Sequence, residues 1–150
     1  MRITTLCLAA LATAATALPA SADVFGKWLT EKKNAIVEIA PCAASACGYV
    51  VWLESPLNTD GKPRLDVNNS DSAIAGRPIC GMPMIGNFVK NAEGEWSGGF
   101  IYDAESGDEY KSKMRVTEEN NLYVRGYVAL LPLIGRSEIW TRVADNRGGC

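Results

Sequence analysis

Tyr110-Lys-Ser-Lys-Met-Arg-Val-Thr117 alternates with a period of two. Tyr110, Ser112, Met114 and Val116 share one face, and Lys111, Lys113 and Arg115 share the other. A strand of that pattern has a dry side and a wet side, which is how an antiparallel sheet with one solvated face is written. The same period continues beyond Glu118-Glu119-Asn120-Asn121, a turn short enough to join antiparallel neighbours. There Leu122, Val124, Gly126 and Val128 fall together, with Tyr123, Arg125 and Tyr127 opposite.

Outward from this hairpin, short apolar or alternating segments recur with turn signals between them, and no helical period holds for three turns. Eight strands are predicted, at about residues 24–30, 34–41, 47–54, 83–90, 95–103, 108–117, 121–130 and 136–143. The separators are Lys32-Lys33-Asn34, the 42–47 loop, Asn91-Ala92-Glu93-Gly94, Glu105-Ser106-Gly107-Asp108, the 118–121 turn and Pro132 to Gly135. Gly98, Gly99 and Gly126 lie inside strands, where a missing side chain marks a bend, a bulge or a close approach. The exception is residues 55–82, too polar and too rich in Pro, Gly and Asn for a central strand, with one helical turn expected at Asp71 to Ala75. Long connections of this kind often carry function, so it is a candidate lid or partner surface. The expected fold is all-β: a single eight-stranded antiparallel up-and-down barrel, whose closure removes exposed strand edges. A two-sheet sandwich is the structural alternative.

The amino terminus reads as an export signal. Arg2 precedes an apolar run from Ile3 through Leu18, and Ala20-Ser21-Ala22 supplies the small-x-small pattern cut by a signal peptidase before Asp23. The run is rich in Ala and Thr and shorter than a spanning helix requires, so a membrane span is not expected. Residues 1–22 are thus assigned to the signal peptide and 23–150 to one domain, periplasmic or secreted. With Arg2 removed, 14 basic against 17 acidic residues leave a net charge of −3. That mild acidity, with dispersed Lys and Arg, argues against a nucleic-acid partner.

Cys42, Cys47, Cys80 and Cys150 follow the signal, and four cysteines in an oxidising compartment are read as two disulfides with three possible connectivities. The small-residue turn Pro41-Cys-Ala-Ala-Ser-Ala-Cys-Gly48 lets Cys42 and Cys47 meet, which pairs Cys80 with Cys150. In the chain-entropy account the two bridges contribute roughly 2 and roughly 4 kcal/mol. A four-Cys zinc site is disfavoured because Cys80 and Cys150 lack close Cys neighbours.

Gly26-Lys27-Trp28 on the first strand resembles the Gly-x-Trp with which lipocalins open. Trp140-Thr141-Arg142 places an Arg where lipocalins close their barrel. The resemblance implies that Gly26, Trp28 and Arg142 form the barrel closure, with the guanidinium stacked across the indole. The wider order of motifs is similar to a bacterial secreted, lipocalin-like family, domain of unknown function 2147. It runs through Cys47-Gly48, Val51-Trp52-Leu53, Asp60-Gly61, Asp66-x-Asn68, Arg77-Pro78-Ile-Cys80-Gly81, Trp96 to Asp103, Gly107 to Tyr110, Arg125-Gly126-Tyr127 and Trp140 to Arg142. These pieces cover nearly all of residues 24–143.

The chemistry expected of the chain is binding. There is no histidine, which removes Ser-His-Asp triads and His-ligated metals, and no Gly-x-Ser-x-Gly or phosphate-binding glycine loop occurs. Glu54, Asp66, Glu95 and Asp103 offer paired carboxylates, but seventeen acids on a small surface produce pairs by chance. Asp60-Gly61 and Asp66-x-Asn68-x-Ser70 fail as calcium loops. One register puts Pro56 first and Val67 twelfth, and the other puts Asp71 where glycine is required and Arg77 where a bidentate Glu is required. No catalytic residue, metal or cofactor is therefore expected. The candidate ligand-binding residues are Trp52, Trp96, Phe100, Tyr102, Met114, Tyr123 and Tyr127, which either line or fill the lumen of so small a barrel. The leading expectation is a non-enzymatic monomer binding a small apolar molecule in the barrel mouth. The alternative is an envelope protein-interaction module with a solid core, acting through loop 55–82 or the apolar segment Ala129-Leu-Leu-Pro-Leu-Ile134. The intact mass of the exported protein should correspond to residues 23–150 less four hydrogens, and an added thiol reagent should leave that mass unchanged.

Overall fold

Residues 23–144 and 149–150 are described in the computed structural model, and the expected signal peptide at 1–22 lies outside them. Among the described residues eight strands follow in chain order: β1 (Gly26–Leu29), β2 (Ala35–Cys42), β3 (Ser45–Leu53), β4 (Pro83–Lys90), β5 (Trp96–Asp103), β6 (Asp108–Val116), β7 (Leu122–Val128) and β8 (Leu131–Arg142). Each pairs antiparallel with the next, and β8 returns to β1 through Trp28↔Arg142 and Leu29↔Thr141, so the sheet is a closed up-and-down barrel. Met114 and Ser112 are inside and fully buried, as the alternation on β6 dictates.

Closure on this radius needs sharp local bends. The ladder shifts register beside Gly48 and again between Trp96 and Gly99. A Cβ on Gly48 would lie 2.6 Å from Ile85 Cγ1, and one on Gly99 would lie 2.5 Å from the Phe88 ring and 2.6 Å from the Gly86 carbonyl. Both positions let a neighbouring core side chain sit directly on backbone.

One end of the barrel is packed solid. Val24, Trp28, Val37, Ile39, Ile85, Phe88, Trp96, Met114, Leu122 and Trp140 form its buried cluster. The Trp28 indole N–H donates to the Val24 carbonyl at 2.7 Å, which folds the segment before β1 across the barrel floor. Arg142 lies over the Trp28 ring at 4.0 Å and donates to the carbonyls of Phe25 (2.9 Å) and Asp23 (2.7 Å) and to Asn120 Oδ1 (3.1 Å).

Among the described residues two bridges tie the connections down. Cys42 bonds Cys47 across the β2–β3 turn, and Cys80 bonds Cys150, each with Cα atoms 5.8 Å apart. The predicted turn at Pro132 to Gly135 is displaced: β8 begins at Leu131 and the chain turns at Ala129 and Leu130. The register jumps between Tyr127↔Gly135 and Val128↔Leu131, leaving residues 132–134 as a bulge. Pro132 sits in that bulge, where its missing N–H leaves no rung of the ladder unmade.

Replacing the fully buried Trp28 by Ala should lower unfolding stability by about 3–5 kcal/mol, read as a fall in the denaturant midpoint at constant slope.

Candidate ligand cavity

The other half of the barrel is open. A cavity of about 480 Å³ opens at the end formed by the β1–β2, β5–β6 and β7–β8 turns. Its walls are Ala35 on β2, Val50 and Leu53 on β3, Met84 on β4, Ile101 on β5 and Val124 on β7, with Ile79 and Met82 from the end of loop 55–82. The rim is polar and electrically balanced: Lys32, Arg64 and Arg136 stand among Asp103, Glu105 and Glu138. Lys32 Nζ meets Glu105 Oε2 at 2.5 Å, joining the β1–β2 turn to the β5–β6 turn. That hydrogen bond raises the Lys32 pKa and lowers that of Glu105.

Two charged side chains point inward from β8. Opposite the buried Val124 and the lumenal Gly126, the register places Glu138 and Arg136 on the inner face. They pair at 3.4 Å, Trp140 Nε1–H donates to Glu138 Oε2 at 2.9 Å, and Arg136 also reaches Glu31 of the β1–β2 turn at 3.9 Å. The pattern Arg136-x-Glu138-x-Trp140 shares a face with a fully buried Trp, and that period was the signal by which these residues are legible in sequence.

Loop 55–82 is docked against the mouth through one buried carboxylate. Asp66 is fully buried and accepts from Tyr102 Oη at 2.6 Å, Asn69 Nδ2 at 2.9 Å and Arg77 Nε at 3.1 Å. Asn68 Nδ2 adds a bond to the Glu105 carbonyl at 2.9 Å, and its own carbonyl fills the space a Cβ on Gly107 would need. Asp66 therefore organises the loop, with its oxygens taken by three donors of the chain. Of the other carboxylates, Glu95 pairs with Lys113 near the packed end, whereas Asp103 lies at the mouth, about 25 Å away along β5. The four acids do not converge on a site.

The cavity is mainly aliphatic, with Tyr102 and Tyr110 as its bordering aromatics, where the sequence reading expected a larger set of rings. Of the seven candidates, Tyr102 alone borders it. Trp96 and Met114 are core of the packed half. Tyr123 and Tyr127 face outward, opposite in period to the inward Leu122, Val124 and Gly126, and Tyr123 lies under Arg115 at 4.9 Å. Phe100 faces outward across from Lys111 and covers Gly86. Trp52 stands half-buried opposite Ile36 in the β2–β3 register. The reason is positional: closure consumes the large rings at the packed end, and strand parity sends the others outside. Aliphatic residues such as Val50, Leu53 and Met84 were missed, and so was Tyr110, whose place on the inner face of β6 the alternation had already given.

Burial and the hydrogen bond to Asp66 push the Tyr102 hydroxyl from an ordinary 10 to about 12. Its contribution to loop docking is complete below pH 10 and is lost as pH rises through about 12. Spectrophotometric titration should show one of the five tyrosines ionising late, with loop 55–82 becoming protease-sensitive in the same range, and Tyr102→Phe should remove the late step.

Residues 26–142 match the family described as "Uncharacterized protein conserved in bacteria (DUF2147)". No curated protein matches the chain. Among solved structures, protein HP1028 from the human pathogen Helicobacter pylori, described as belonging to the lipocalin family, superposes with a TM-score of 0.71. The two share 18% identity over 83% of this chain and 86% of that one, a likeness of fold. The chain accordingly belongs to the bacterial DUF2147 family, and its fold is a lipocalin-like barrel.

Proposed function

We propose that the chain is an exported, non-enzymatic barrel that holds one small apolar molecule in the open half of its lumen. The observation that carries this reading is the division of the interior: one half is filled, and the other leaves about 480 Å³ behind aliphatic walls. That volume lies in the range of small-molecule sites, which are likewise mostly apolar with a few polar groups at fixed places. The rim supports an uncharged ligand, because its three cations stand against three carboxylates and several of them already pair. Glu138 and the Arg136 guanidinium supply the polar contacts, and a solid-core interaction module has no use for such a space. Tyr102 belongs to the site through its ring, while its hydroxyl serves the loop. Export through the leader at 1–22 places the barrel outside the cytoplasm, where its two disulfides are stable.

The test is a fluorescence titration with N-phenyl-1-naphthylamine, an uncharged apolar dye. One dye per barrel should bind, and Met84→Trp, which projects a larger side chain into the cavity, should weaken binding about tenfold or more, a difference of about 1.4 kcal/mol. Dye binding that Met84→Trp leaves unchanged, or its absence in a correctly folded barrel, rejects the reading.

A further inference from the structure

The tip of the β7–β8 hairpin gathers large apolar side chains in water. Among the described residues, Val128, Leu130, Leu131, Leu133 and Ile134 are all exposed, Leu130 by 91% and Leu133 by 95%. The tip is held in shape. Arg125 Nη2 donates to the carbonyls of Pro132 (3.2 Å) and Leu133 (3.4 Å), and its Nη1 to Ser137 Oγ (3.3 Å), which fixes the 132–134 bulge outward. An apolar cluster that is fixed and exposed marks a contact surface.

Two further observations give the chemistry of what it contacts. Val128 and Ile134 belong to the tip and to the cavity wall alike, so apolar surface continues from the tip into the lumen. The outer face of β6 and β7, leading up to the tip, carries Lys111, Lys113, Arg115 and Arg125 interleaved with Tyr123 and Tyr127. Its acids are Glu109 at the start of β6, Glu95, which takes up Lys113 at 3.2 Å, and Glu119, which lies near Arg115 at the end far from the tip, so four cations stand against three acids. Lys111 is level with Tyr127 on the rung nearest the tip, so apolar side chains that suit the acyl region stand next to a tyrosine and a cation that suit the interface and the headgroup phosphates.

We propose that the β7–β8 tip docks the barrel, mouth first, onto a lipid bilayer that carries anionic headgroups. The inference stands on the tip and the outer face and does not depend on what the cavity holds. It assigns Tyr127 and Lys111 a role as the flank of the docking surface.

The experiment is co-sedimentation of the exported chain, residues 23–150, which holds all eight strands and both disulfides, with phosphatidylcholine vesicles made with and without phosphatidylglycerol. The parent should partition onto the phosphatidylglycerol vesicles and release with added salt. Leu130→Asn with Leu133→Asn should lower partitioning about tenfold, since each removes apolar surface from the inserted wedge, while near-UV circular dichroism and dye binding stay unchanged. Lys111→Gln, at the cation level with Tyr127 beside the tip, should reduce the preference for phosphatidylglycerol and leave the fold intact. The proposal is overturned if the folded parent does not partition, if the leucine substitutions leave partitioning unchanged, or if those substitutions instead abolish a concentration-dependent dimer.

Discussion

The barrel depends on a seam two residue pairs long. β1 spans four residues and meets β8 only at Trp28↔Arg142 and Leu29↔Thr141, whereas the other junctions run further. A ladder so short gives little hydrogen bonding by itself, so side chains must hold it. Arg142 does this by covering the Trp28 ring and gathering the carbonyls of Phe25 and Asp23, while Trp28 ties back to Val24. One cation and one indole thereby join the two ends of the sheet and cap the core. Without that junction β1 and β8 would each present an unpaired edge.

The packed end and the open end divide labour. Large rings fill the first, which leaves the second lined by aliphatic residues and free of the need to be full. Loop 55–82 closes over part of the open end, and its anchorage is unusual in resting on a fully buried carboxylate. Such a group is tolerable only because three donors meet it. The loop also carries Cys80, whose bond to Cys150 fixes where the loop re-enters the barrel at β4. The mouth is thus framed by one loop held from inside the protein and one hairpin tip standing in water.

Much of the architecture was legible because period-two patterning and turn chemistry are local signals. The alternation from Tyr110 to Thr117 gives the inner face of β6 directly, and the strand count follows from the turns. The site was less legible for a physical reason. Parity says which side of a strand a residue occupies only once register is known, and bulges reset it: the shift between Ile36 and Val37 changes the counting on β3 beside Trp52. Aromatic residues were a poor guide to the lumen because a closing core competes for them. The alternation at Arg136, Glu138 and Trp140 did carry information, but charged residues on an inner face become visible only when Trp140 is recognised as buried. Pro132 misled in the opposite sense, since proline marks turns and bulges alike, and here it marks a bulge.

The topology also sets an order of events during folding. Seven of the eight junctions join strands adjacent in sequence, so they form as hairpins whose loop-closure cost is small, except across residues 54–82. The eighth joins segments more than a hundred residues apart and cannot form until Arg142 has emerged. A ribbon that zips from neighbour to neighbour and closes last keeps its contacts local, which favours rapid assembly for a β-rich chain. It also means that a nascent or truncated chain lacking β8 persists as a curled, open ribbon, the form most prone to pair with another of its kind.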